Sequence, residues 1–338
     1  MKRGLKATAL GLASALTLAL LLIVWAASPS RGAALSRLRH FGGRGQSLLA
    51  AVLGRRPAPA QGAGLPADVS FRESDSRGLL VKTWVNGSGP YTFAVDTGAG
   101  ATIISPRVAG EARVEVEAGG RGIEIGGLSG QSVGGGRRAF PRSLSVGFRE
   151  NLLPGRGLVI VAPGLPSDID GVLDPVEAYA PHGFVIDMPA GELRAFDPRT
   201  NPLRQSATPT GGAVVRWLTD GQSRRPFVML EEGRRALLDT GSGFGLAVDE
   251  SAARALGVIA SEGRARGYTR DLAGGRIASR RVEAATVHVG PLALRRVPTD
   301  LLLRAEKGAP VLLGRDALRP FRLTFDPLSR LIMLDPAE

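Results

Sequence analysis

Phe93-Ala94-Val95-Asp96-Thr97-Gly98-Ala99 and Ala236-Leu237-Leu238-Asp239-Thr240-Gly241-Ser242 are two versions of one phrase. In each, an apolar run enters Asp-Thr-Gly, and the two Asp residues stand 143 positions apart. One Asp-Thr-Gly says little, because Asp and Gly are common turn residues. Two copies with matching surroundings point to an internal repeat that brings two carboxylates together. Two facing carboxylates that share a proton can activate a water and protonate a carbonyl oxygen.

Working outward, the same landmarks follow each copy. Ser105 and Asp249 are helix N-cap candidates, nine residues after Asp96 and ten after Asp239; Pro106 suits the first helical position, and Gly257 stops the second helix. Next come Ile169-Asp170-Gly171-Val172-Leu173-Asp174 in the first half and Pro310-Val311-Leu312-Leu313-Gly314-Arg315-Asp316 in the second. Asp187 and Asp326 then stand 91 and 87 residues beyond their Asp-Thr-Gly, and the sequence reads them as turn carboxylates. A short apolar strand closes each half, Glu192–Phe196 and Leu331–Leu334.

From Ser70 to Leu334 the chain resembles the pepsin-like and retropepsin-like aspartic proteases, in the bacterial form with both lobes on one polypeptide. The resemblance implies an all-β, bilobal acid-protease fold: two pseudo-twofold-related, six-stranded barrel-like lobes with a cleft between them. It implies an endopeptidase acting on peptide or protein substrates, with Asp96 and Asp239 as the catalytic pair. Thr97 and Thr240 would hydrogen-bond across the lobe interface, and Gly98 and Gly241 would let the backbone approach the carboxylates. No metal or cofactor is implied, and the internal pseudo-dimer makes a monomer the expected state.

The chain departs from the pattern in places. Asp174 stands where the first lobe would have the Gly that Gly314 supplies in the second. Ser242 follows one motif and Ala99 the other, so only Asp239 has a neighbouring hydroxyl to bond it. No Tyr lies between Arg121 and Phe140, where a flap tyrosine would sit. Asp174 in place of Gly favours the alternative, a catalytically silent peptide-binding module on the same fold. Which Asp holds the proton is left open.

Other chemistries find less support. Gly130-Gln131-Ser132-Val133-Gly134 matches a nucleophile elbow, but Gly135-Gly136-Arg137-Arg138 is a poor helix start. His40, His182 and His288 are isolated and there is no Cys, so no zinc-ligand pattern arises. No phosphate-binding Gly-rich loop is present.

The formal charge of +12 belongs mainly to the N-terminus: residues 1–64 carry nine Lys or Arg and no Asp or Glu. The rest is close to balanced, which argues against a nucleic-acid partner. Residues 7–30 are uncharged and, as a helix, would span roughly 36 Å, enough to cross a bilayer. Behind Lys2, Arg3 and Lys6 this stretch reads as a membrane anchor with inner-membrane lipid as partner, or as a signal peptide if cleaved at Val24-Trp25-Ala26 or Ala26-Ala27-Ser28. The protease unit is expected to be periplasmic or otherwise extracytoplasmic, and secreted if the segment is cleaved. The arginines from Arg31 to Arg56 oppose that orientation.

The organisation predicted is a signal-anchor or signal peptide at 1–30, a basic Gly/Pro-rich linker at 31–67, an N-terminal lobe at 68–200 and a C-terminal lobe at 201–338. The Pro198–Gly212 stretch joins the lobes. Short strands with Gly turns dominate, such as Leu79–Val85, Thr92–Val95 and Ala284–Val289. Gly-rich hairpins at Gly126–Gly136 and Gly267–Gly275 sit where a flap and its counterpart would be.

Overall fold

The computed structural model describes residues 64–337 apart from 120–121, 128–131, 156, 222, 259–263, 271–274 and 304–308. Residues 7–30 lie outside the described residues. Within them, no helix is long and apolar enough to cross a membrane.

The described chain is mostly β. Each motif strand lies within its own sheet. Ser88–Val95, which leads into Asp96, belongs to a ten-stranded sheet between Gly78–Val85 and Gly171–Leu173. Arg235–Asp239 belongs to a seven-stranded sheet between Phe227–Met229 and Val311–Gly314. These strands are apolar on both faces, as expected of strands covered on both sides: Phe93, Val95, Ala236 and Leu238 are all buried. The four α-helices among the described residues are short. Two of them, Pro106–Glu111 and Glu250–Ala255, start as the sequence predicts, with Ser105 accepting from Val108 N and Asp249 accepting from Ala252 N.

The sheets depart from two six-stranded barrels. A six-stranded sheet is shared by the two halves, in the order Val69–Ser70, Glu192–Phe196, Gly183–Asp187, Phe321–Asp326, Leu331–Pro336, Ala213–Arg216. Its central seam is the antiparallel pairing of Gly183–Asp187 with Phe321–Asp326, where Phe184 faces Phe325. Their rings stack 4.6 Å apart, with Trp217 edge-on to Phe325 at 5.9 Å. Closing strands of both halves thus bury their edges against each other, which removes two exposed sheet edges. Asp187 and Asp326 act at turns: Asp187 accepts from Ala190 N and pairs with Arg322, and Asp326 accepts from Leu203, Leu328 and Ser329 N–H.

The two Gly-rich hairpins are present as paired strands, Ile123–Gly126 with Ser132–Phe140 and Arg264–Arg270 with Arg276–Val289. Their tips at 128–131 and 271–274 lie outside the described residues. Their bases are tied to the motif loops by two small apolar clusters. Ile125 packs with Ala99, Ala101, Ile103 and Val172, and Ile277 packs with Phe244, Ala247 and Leu312. Ser132 opens a strand, so no strand-to-helix turn follows it and the nucleophile-elbow reading has no structural support.

Candidate active site

Each Asp-Thr-Gly leaves the end of a strand and turns into a loop that meets the other. The threonines, both fully buried, form a crossed set of hydrogen bonds. Thr97 Oγ1 donates to Leu238 O at 2.6 Å and accepts from Thr240 N at 3.1 Å. Thr240 Oγ1 donates to Val95 O at 3.2 Å and accepts from Thr97 N at 3.1 Å. Two hydroxyls and four backbone groups are thus paired across the contact between the halves.

This contact holds Asp96 and Asp239 side by side, 8% and 9% exposed, with both carboxyls lying against Gly98. The motif glycines give each carboxylate room. A Cβ on Gly98 would lie 2.9 Å from the carboxyl carbon of Asp239, and a Cβ on Gly241 would collide with the carboxyl of Asp96. Each glycine N–H donates to the Asp of its own motif, Gly98 at 2.7 Å and Gly241 at 2.9 Å.

The two carboxyls are not equivalent. Burial pushes both up from the usual carboxylate range. Asp96 goes well above it, raised further by the charge of Asp239 and, more weakly, by Asp174. Asp239 is held back by its neighbour Asp96, by the N–H groups of Gly241 and Ser242, and by the positive charge of Arg315. The charged form of Asp239 therefore receives more stabilisation from its surroundings than that of Asp96.

The Ser242 contribution differs from the sequence expectation. Its backbone N–H, not its hydroxyl, donates to Asp239 Oδ1 at 3.1 Å, while the hydroxyl accepts from Phe244 N at 3.3 Å. Both motifs share a bond from this N–H to the carbonyl of their Asp, Ala99 N to Asp96 O at 3.4 Å and Ser242 N to Asp239 O at 3.3 Å, but only the Ser242 N–H also reaches the carboxyl. Backbone geometry supplies the asymmetry that the sequence assigned to a side chain.

Residues 231–317 match the aspartyl protease family model. The match takes in the second Asp-Thr-Gly and the Leu312-Leu313-Gly314 strand paired with it, and supports a general aspartic protease function. No match was found among curated proteins. The aspartyl protease match stops short of the first motif, but the same strand arrangement lies under both. Leu237 aligns with Leu312, Leu238 with Leu313 and Asp239 with Gly314; Ala94 aligns with Val172 and Val95 with Leu173, which puts Asp174 opposite Asp96.

Asp174 is accommodated without disturbing that pairing, and Asp96 N still donates to Leu173 O at 3.0 Å. A Cβ on Gly314 would press on the carbonyls of Ser242 and Phe244, because the 242–245 loop closes tightly over it. In the first half the loop between motif and helix cap is one residue shorter. There the amide of Asp174 is taken by the Thr102 hydroxyl, at 3.2 Å. Asp174 caps the helix Pro175–Ala178 by accepting from Val176 N. Burial, with the charge of Glu177, pushes its carboxyl up to about 7.

Two arginines close to the motif loops were missed at the sequence level. Arg315, 2% exposed, donates through Nη1 to the carbonyls of Thr240 and Gly241, both at 3.0 Å, and through Nη2 to Asp75 O at 3.1 Å. Its Nε lies 3.4 Å from Glu73 Oε1. Arg225 lies beside Gly100 and pairs with Asp220 at 2.6 Å. Each belongs to the opposite half from one of its contacts. The signal that could have found Arg315 is its place directly after Leu312-Leu313-Gly314, inside an apolar run where a charge needs partners.

Proposed function

We propose that this protein is an aspartic endopeptidase that hydrolyses peptide bonds with a water activated by Asp96 and Asp239. The observation that carries this reading is the pair of buried carboxyls brought together beside Gly98 and Gly241 over the crossed Thr97–Thr240 bonds. Asp239, the better stabilised anion, takes a proton from the water as its oxygen attacks the scissile carbonyl carbon. Asp96, the proton holder, donates to the carbonyl oxygen, giving a neutral tetrahedral diol. Asp239 then passes its proton to the leaving nitrogen, Asp96 takes back its own, and the C–N bond breaks. Burial strengthens both proton transfers by excluding competing water.

Asp174 was the feature favouring a silent peptide-binding module. The intact pairing of Gly171–Leu173 beside Ser88–Val95 removes most of that argument. Cleavage of a peptide library by the purified protein, compared with Asp96→Asn and Asp239→Asn, tests the proposal. The parent is expected to cleave and each variant to lose on the order of 10²–10⁴-fold in kcat. Binding without cleavage by the parent would select the silent module.

A further inference from the structure

The part of the first half around the 148–152 turn and the Asn86–Gly87 turn carries a concentration of apolar and basic side chains that the proposed chemistry does not use. Leu65, Phe148 and Leu152 are exposed at 48%, 45% and 50%. Asn151, buried between them, ties the segments together: its Nδ2 donates to Ala67 O and Val146 O, and its Oδ1 accepts from Ala67 N. Phe140 is 48% exposed. Three of the seven large exposed hydrophobics among the described residues therefore flank the Asn151 bonds, and Phe140 stands two residues before Arg142.

Three exposed arginines surround them at the Asn86–Gly87 turn. Asn86 Oδ1 accepts from Arg142 N at 2.6 Å, and Asn86 Nδ2 donates to the carbonyl of Ala112, the residue before Arg113. The Arg149 guanidinium lies against Gly87, where a Cβ would meet it at 3.1 Å. The acidic groups nearby are fewer. Asp68 pairs with Arg194 at 3.5 Å and Glu111 with Arg107 at 2.8 Å, which leaves Glu150 in the 148–152 turn and Glu115, opposite Phe140 in the strand pairing.

The direction of the chain gives this region its partner. Leu65 is the second described residue, so the polypeptide coming from the uncharged 7–30 segment and the arginine-bearing stretch after it arrives at this face. The Asn86–Gly87 turn and Asp96 lie at opposite ends of the strand Ser88–Val95, roughly 25 Å apart along it, and the 148–152 turn lies alongside, Gly147 N donating to the carbonyl of Lys82, which pairs with Thr92. We propose that this region docks onto an anionic lipid surface, with Leu65, Phe148 and Leu152 entering the headgroup region, the arginines facing lipid phosphates, and the Asp96–Asp239 cleft turned away from the bilayer. Apolar side chains flanked by cations are what such a surface recognises. The proposal rests on the reading of residues 7–30 as a membrane anchor, not on the catalytic one.

The absence of cysteine makes the test direct. The full-length protein with Phe148→Cys, and separately with Leu328→Cys as an exposed site in the other half, is labelled with an environment-sensitive fluorophore. Each is reconstituted into vesicles of phosphatidylcholine and phosphatidylglycerol. A lipid-borne nitroxide is expected to quench the label at 148 several-fold more than the label at 328. The excess should shrink at high salt and in the Arg113→Gln, Arg142→Gln, Arg149→Gln triple variant. Equal quenching at the two sites overturns the proposal, as does a chain that does not partition with vesicles. Energy transfer between copies labelled at 148 in detergent would assign the face to a second copy and also overturn it. Peptide cleavage measured on the same samples reports on the dyad independently.

Discussion

At the scale of single residues, the site is governed by how many donors reach each carboxyl. Asp239 receives N–H groups from Gly241 and Ser242 and the field of Arg315, whereas Asp96 receives one N–H and faces Asp174. This yields a directional prediction for Asp174→Asn, which keeps a capping side chain and deletes a carboxyl that titrates at about 7. An ionised Asp174 disfavours ionisation of Asp96, so its removal lowers the Asp96 pKa. The basic limb of a pH–kcat profile is expected to move to lower pH. The acid limb should stay in place, because Asp174 is already neutral there. An unmoved basic limb in a well-folded variant would show that Asp174 acts only as a cap. The two dyad variants act as a unit, so Asp96→Asn combined with Asp239→Asn is expected to be little worse in kcat than either alone.

At the scale of elements, two joints hold the halves together. One is the crossed Thr97–Thr240 set. Thr97→Val leaves the buried Leu238 carbonyl and Thr240 N–H without their partner, a change expected to cost about 2–4 kcal/mol from two unsatisfied groups. Urea unfolding would measure it, and activity should fall with it because the loops carrying both Asp residues lose their alignment. The other joint is the seam of the shared sheet. Phe325→Ala removes the ring stacked on Phe184 and touched by Trp217, in a fully buried position. A loss of about 3–5 kcal/mol is expected, the usual range for a buried Phe reduced to Ala. Separate unfolding transitions for the two halves in that variant would mark this seam as the main cooperative link.

At the scale of the whole molecule, stability should depend on pH in an unusual direction. Asp96, Asp239 and Asp174 all have folded-state pKa values above their unfolded ones. Their protonated forms favour the fold, so this stability is fully present below the unfolded value of about 4 and is lost as pH rises through the folded values. For Asp174 alone, a rise from 3.8 to about 7 corresponds to at most about 4 kcal/mol. His182, kept below its usual range by burial, works the other way as pH falls through its own titration. The carboxyls outnumber it, and the melting temperature is expected to be several degrees higher near about pH 5 than near about pH 8. Calorimetry across that range checks the sign, and a maximum at the alkaline end would contradict it.

The sequence by itself determined the local order. The apolar approach to each Asp-Thr-Gly reads as a strand because it is short, β-rich and ended by turn residues, and Ser105 and Asp249 mark helix starts because a side-chain oxygen there can bond a free N–H. The repeat also identified which two carboxyls to consider together. Tertiary structure alone decided three further things. The closing strands of the two halves pair with each other in one sheet, since which edges meet depends on distant surfaces and not on strand propensity. The donor to Asp239 is the Ser242 amide, since loop path and not residue type aims an N–H. Arg315 and Asp174 became buried partners of the motif loops, since a charge enters a core only where the assembled fold supplies carbonyls, amides or opposite charge, and no local pattern in the chain records that supply.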